Sequence, residues 1–215
     1  DLTTQENQFI VSNEEIRQLA DLDPRRFIGF ASVDPYRPDA ADALEHAFGN
    51  LGLAGLKLHP SRQNFSPSSS MLDPIYAICL RYNKPIIFHA GMSLEPNTSM
   101  RYSNPLEFEP VAARYPKLRI CLAHFGFPWV LETAALLLKY PNMYADTSLL
   151  YFDSAREFYD HVFKRILGEY WIDRSLRHQV MFGSNNPRFE QIRMVEALRN
   201  IGWRAGTLDL VLERT

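Results

Sequence analysis

The chain has 215 residues, 46% of them hydrophobic, enough for one domain with a sizeable core. Its 23 basic and 25 acidic residues are interspersed and leave a formal net charge of −2, so no basic run is available to grip a phosphate backbone and nucleic acid is not an expected partner. No stretch nears the roughly 20 apolar residues needed to cross a bilayer, the opening DLTTQENQ lacks a secretory pattern, and Cys79 and Cys121 sit in apolar stretches as buried free thiols. A soluble, cytoplasmic protein with no membrane partner is the expectation.

In chain order, Ser12 and Glu15 form a capping box that predicts a helix over 14–22. The apolar run RFIGFASVD follows from Arg26, and Asp39 then opens a helical segment to 51. Next come the runs LAGLKLHP from Leu53 and KPIIFHAG from Lys84, separated by a helical pattern that contains Cys79. Asn104 and Pro105 open a helix over 106–115, since proline at the first helical position loses no hydrogen bond. The runs LRICLAHFG from Leu118, NMYADTS from Asn142 and HQVMFGSN from His178 complete the series. Near-continuous apolar character, rather than strict alternation, is what parallel strands covered on both faces require. The polar stretches SPSSS after Phe65 and EPNTSMRYSNP after Leu94 follow strands and are candidate active-site loops.

Alternating strand and helix units leave a doubly wound open sheet or a closed barrel. Neither GxGxxG nor GxxxxGK[ST] occurs, which weighs against a nucleotide-binding sheet and leaves an α/β fold of the (β/α)₈ TIM barrel type. The runs supply six strand candidates, so such a barrel lacks its first strands in this chain. One barrel domain over 1–215, trimmed at both ends, is expected.

His59, His89 and His124 each stand at the C-terminal end of a strand candidate, and Asn185 holds that place on the last. Barrels build their active sites at this end, so the four side chains are expected to share one mouth. Period-two alternation puts Lys57 on the same side as His59, there to pair with a carboxylate or to hold a substrate anion. The same rule pairs Leu122 with His124 and turns Cys121 toward the helices. Arg62 and Arg101, in loops after strands, are candidate clamps for a carboxylate. Asp146, Thr147 and Ser148 either line the mouth or cap a helix near Asp153. His46, His161 and His178 read as structural or exposed.

These segments, in this order and spacing, resemble the amidohydrolase-related (amidohydrolase 2) family. The resemblance is to its branch of aminocarboxymuconate-semialdehyde decarboxylase-like metal-dependent hydrolases, which also holds aromatic-acid decarboxylases and lactone hydrolases. It is carried by PRRFIGFASVDP, GLAGLKLHP, KPIIFHAG, YPKLRICLAHFG, PNMYADTS and FGSNNP. The resemblance implies that His89 is a metal ligand and that His124 activates water or polarises the substrate. It also implies that Asn185 stands where the family has a metal-facing aspartate that serves as base. An amide cannot take that proton and is a weaker ligand than a carboxylate. The family's first strand carries a His-x-His pair that this chain lacks, so a zinc with three protein ligands is hard to assemble from what is present.

The expected function is hydrolysis or decarboxylation of a small carboxylated substrate with a divalent metal, zinc by preference. His124 and Asn185 would be catalytic, His89 would hold the metal, and Lys57, His59, Arg62, Arg101 and Ser148 would bind substrate. A metal-free lactone hydrolase and a non-catalytic metabolite-binding barrel are the alternatives. The sequence leaves the oligomeric state open and allows a homo-oligomer.

Overall fold

The capping pair at the start of the chain closes as the sequence indicates. Ser12 Oγ accepts from the Glu15 amide at 3.1 Å, and the Ser12 amide donates back to Glu15 Oε2 at 2.7 Å, opening helix α1 (Asn13–Asp21). A computed structural model describes residues 11–94, 96–148 and 152–214. Helix α2 (Ala40–Gly49) starts after Asp39, whose carboxylate is held by Arg37 instead of capping the helix. Asn104 does cap the segment after it, by accepting from the Leu106 amide at 3.0 Å. That segment begins as a 3-10 helix (Pro105–Phe108) before continuing as an α-helix (Glu109–Arg114).

The strands are β1 (Leu56–Leu58), β2 (Ile86–Phe88), β3 (Ile120–Leu122), β4 (Met143–Asp146) and β5 (Val180–Met181), all parallel and paired in sequence order. Helices cross between them, as the right-handed βαβ unit requires. The run from Arg26 gives a single bridge, Ala31 to Leu56, rather than a strand. The described strands form an open arc of a TIM barrel, with the β1 and β5 edges unjoined among the described residues. No helix of the described residues is long and apolar enough to cross a membrane.

The two faces of the arc differ in chemistry. Leu56, Leu58, Ile86, Phe88, Ile120, Leu122, Met143 and Ala145 are fully buried on the helix side, where Phe88 meets the rings of Tyr76 and Phe108. Burying such side chains contributes about 1.5–3 kcal/mol each before entropy is counted. The opposite face carries Lys57, Ile87, Cys121 and Tyr144 side by side in register. Cys121 therefore points with Lys57 into the concave side. The expectation that it faces the helices fails because the alternation was counted back from His124, and the strand stops before that residue.

Two amides brace the N-terminal ends of the strands. Asn142 Nδ2 shares its hydrogens among the carbonyls of Ala112, Tyr115 and Leu118 at 3.3, 3.1 and 3.0 Å. Gln179 Nε2 does the same with Leu137, Tyr140 and Met143 at 2.7, 3.1 and 2.9 Å. Each satisfies the open carbonyls of the turn that leads into the preceding strand.

Candidate active site

Three successive strands are followed within two residues by a histidine, and each ring is fixed by a different local device. His59 follows β1 and accepts at Nδ1 from the Arg62 amide at 3.1 Å, capping a short helix that begins at Pro60. Its own amide donates to Gln63 Oε1 at 2.8 Å, and Gln63 Nε2 donates in turn to the Val33 carbonyl at 2.8 Å. His89 follows β2, its amide donating to the Leu58 carbonyl at 2.9 Å and its Nε2–H to the Met92 carbonyl at 3.2 Å. The loop beyond it is stitched to the next one by Met92, whose amide donates to the Phe127 carbonyl at 2.7 Å. Gly91, at φ +105°, is required there, since a Cβ would lie 2.2 Å from the Phe127 oxygen.

His124 is placed by a turn. β3 ends at Leu122, and His124 (φ 60°, ψ 23°) and Phe125 (φ 48°, ψ 29°) adopt left-handed backbone, which costs a non-glycine residue on the order of 1–3 kcal/mol. The turn is held from the neighbouring strand: Asp146 Oδ1 accepts from the His124 amide at 2.9 Å, from the Ser148 amide at 2.9 Å and from Ser148 Oγ at 2.5 Å. Ser148 Oγ lies 2.7 Å from His124 Nδ1. Of the two placements open for Asp146 and Ser148, the structure takes the mouth; the helix after Asp153 is capped by Ser154, which accepts from the Glu157 amide at 3.3 Å.

The three rings meet. His59 and His89 stack with centroids 3.8 Å apart and planes 8° from parallel, and His124 stands edge-on to His89 at 5.0 Å. Their exposures of 8%, 6% and 7% put them below the rim rather than on it. Lys57 lies two residues before His59 on the concave face, where the Asp146 carboxylate acts on its ammonium through space. Asn185, four residues past β5, is half-buried at φ 56°, in the left-handed region like His124 and Phe125. Arg62 is exposed beside His59, and Arg101 is exposed and engaged by Glu107 at 3.2 Å. Among the structural histidines, His46 lies 3.4 Å from Glu14 and His161 packs against the rings of Phe127 and Phe152.

The hydrogen bonds decide what each ring offers. Because a carbonyl only accepts, His89 carries its proton on Nε2 and leaves a lone pair on Nδ1. Because His59 accepts at Nδ1, its Nε2–H is a donor. Burial holds all three imidazoles neutral. It depresses His59 and His89 well below the ordinary range, reinforced by the neighbouring rings and the Lys57 charge, and lowers His124 to about 3, with Lys57 adding to the effect. Burial likewise lowers Lys57, against the pull of Asp146 and Cys121.

This has a measurable consequence. The folded state binds fewer protons here than the unfolded chain, so stability is present above the unfolded histidine value near 6.5 and is lost as pH falls from there toward 3 for His124. Each such histidine contributes a slope of up to about 1.4 kcal/mol per pH unit. Denaturant unfolding at pH 7, 5.5 and 4 is expected to show His124→Asn with a shallower decline than the parent chain. Equal slopes would mean that this ring is not buried neutral.

The residues present do not by themselves complete a metal site. Among the described residues, no group of three or more His, Cys, Asp or Glu side chains forms a ligand set, and His89 turns Nε2 to a backbone carbonyl. The expectation of zinc gains nothing from this geometry.

A family model described as Amidohydrolase matches residues 6–211, nearly the whole chain. The chain belongs to the amidohydrolase family. The chain is similar in fold to an uncharacterized TIM-barrel protein from Bordetella bronchiseptica, with TM-score 0.80, 21% identity, and coverage of 94% of this chain and 69% of that one. It is similar, too, to 2,6-dihydroxybenzoate decarboxylase from Rhizobium, with TM-score 0.68, 12% identity, and coverage of 93% and 72%. A third similar structure is 5-carboxyvanillate decarboxylase from Novosphingobium aromaticivorans, complexed with manganese and 4-hydroxy-3-methoxy-5-nitrobenzoic acid, with TM-score 0.66, 17% identity, and coverage of 92% and 65%. Among curated proteins, Protein fluG of Emericella nidulans is 33% identical over 64 residues, a match spanning 30% of this chain and 7% of that protein.

Proposed function

We propose that this chain carries part of the active site of an enzyme that decarboxylates or hydrolyses a small carboxylated aromatic substrate. The observation that carries the reading is the meeting of the His59, His89 and His124 rings below a common rim, in a chain of the amidohydrolase family. The similar decarboxylase structures, whose substrates are hydroxylated benzoates, support the substrate class.

In this reading His124 moves the proton: a neutral ring with a free lone pair accepts it from water or the substrate and returns it to the product carbon. The Nε2–H of His59 donates a hydrogen bond to the substrate, and Lys57 supplies positive charge behind it. Arg62 and Arg101 at the rim are proposed to hold the departing or retained carboxylate, Arg101 after releasing Glu107. Asn185 then orients rather than ionises.

A divalent metal is part of the proposal, with His89 as its ligand among the described residues. It would polarise the substrate when bound. Manganese stands in one of the similar decarboxylases.

The test is carbon dioxide release from 2,6-dihydroxybenzoate and 5-carboxyvanillate by the full-length protein, with and without added manganese. Turnover that His89→Ala reduces together with bound metal supports the reading. Asn185→Asp is expected to tighten metal retention, because it puts a carboxylate in place of a neutral amide. Stoichiometric binding of these acids with no turnover, in the parent chain or in Asn185→Asp, would replace the enzyme by a metabolite-binding barrel. Asn185 is the feature that favours this second reading.

A further inference from the structure

The arrangement around His124 contains more than a turn. Ser148 Oγ lies between two partners, the Asp146 carboxylate at 2.5 Å and His124 Nδ1 at 2.7 Å. A carboxylate oxygen only accepts, so the single hydroxyl proton of Ser148 goes to Asp146. The serine oxygen can then only accept from the ring, and Nδ1 must carry the hydrogen. The lone pair of the neutral imidazole is left on Nε2. The same carboxylate oxygen takes the backbone amides of both His124 and Ser148, so ring, turn and hydroxyl are anchored at one atom. Ser148 is only 4% exposed, which keeps water from competing for the bond. Gly183, two residues past β5, closes the arrangement: a Cβ there would lie 3.0 Å from Asp146 Cγ and 3.1 Å from Ser148 Cβ.

We infer that Ser148, oriented by Asp146, is a positioning residue that locks His124 as the Nδ1–H tautomer and so leaves the lone pair on Nε2, in a ring that stands edge-on to His89. This assigns Ser148 a role different from direct contact with substrate. It rests on the proposed function only in taking His124 as the proton carrier; the tautomer itself does not depend on which reaction is catalysed.

Two-bond proton–nitrogen correlation spectra of the full-length protein labelled with ¹⁵N-histidine, recorded at neutral pH as purified and after chelation, read the tautomer directly. The His124 signals are identified by their loss in His124→Asn. The expected spectrum has Nδ1 in the protonated, pyrrole-like range and Nε2 in the unprotonated, pyridine-like range. Ser148→Ala is expected to move the pattern toward the Nε2–H form that a free imidazole prefers. It is also expected to lower kcat on 2,6-dihydroxybenzoate roughly 10–100-fold with little change in KM, the size usual for losing a residue that orients a working histidine. An Nε2–H tautomer in the parent chain overturns the inference whatever the variant does, as does an unchanged tautomer in a folded Ser148→Ala protein. Expected spectra without turnover in any form would leave the positioning role standing and remove the decarboxylase reading instead.

Discussion

His124→Asn is expected to lower turnover by roughly 10²–10⁴-fold, the usual loss when a positioned acid–base group is removed. Asparagine is the substitution of choice because it tolerates left-handed backbone better than most residues, and His124 sits at φ 60°. The main-chain bond from residue 124 to Asp146 can then survive, so lost activity does not report a lost turn. What disappears is the ring nitrogen proposed to accept and return the proton. The check is steady-state kinetics on an accepted aromatic acid, alongside a thermal melt close to that of the parent. A rise in KM with kcat unchanged would show that the ring only binds substrate, and would sink the proton-transfer role.

Asp146→Ala carries the largest structural penalty expected. Three donors converge on Asp146 Oδ1, two of them main-chain amides that have little access to water. Leaving a buried donor unsatisfied costs about 1–3 kcal/mol, and the left-handed turn at His124 and Phe125 loses its outside support. A loss of about 3–5 kcal/mol is expected, a large share of the roughly 5–15 kcal/mol that stabilises a typical domain. Asp146→Asn keeps an acceptor at the same place and is expected to recover most of it. Denaturant midpoints compare the two. A deficit under about 1 kcal/mol for the alanine variant would mean that the turn at His124 holds itself.

The positions of the histidines were legible because parallel strands end on one rim, whatever their length. Reading His59, His89 and His124 as strand-end residues needed only the apolar runs before them, and the structure brings the rings within stacking and edge contact. The capping box at Ser12 and Glu15 was legible for a similar reason, since it is a local pattern satisfied by local atoms.

What alternation could not foresee was where it stops. β3 is three residues long, and the left-handed pair at His124 and Phe125 breaks the period-two rule that would have aligned His124 with Leu122. Cys121 was misplaced for that reason. The run from Arg26 likewise carries strand-like residues but yields one bridge, with Phe27 and Ile28 exposed at 55% and 73%. Apolar character reports a preference for burial and does not name the neighbour that would supply it. The role of Asp146 was hidden in another way. Its partners are amides of residues 124 and 148, and a main-chain donor 22 positions away leaves no trace in residue type.

The amides of Asn142 and Gln179 divide the molecule in a way that bears on its variability. Each ties three carbonyls at the floor of the arc, so adding or deleting a residue there would strand several polar groups together. The rim is tied differently, by single crossings such as the Asp146 anchor, the Gln63 link from His59 to Val33 and the Gly91 crossing. Lengthening or reshaping the connections after Leu58 and Phe88 would leave the floor untouched, and new substrate preferences can arise on the rim while the staves below keep their spacing.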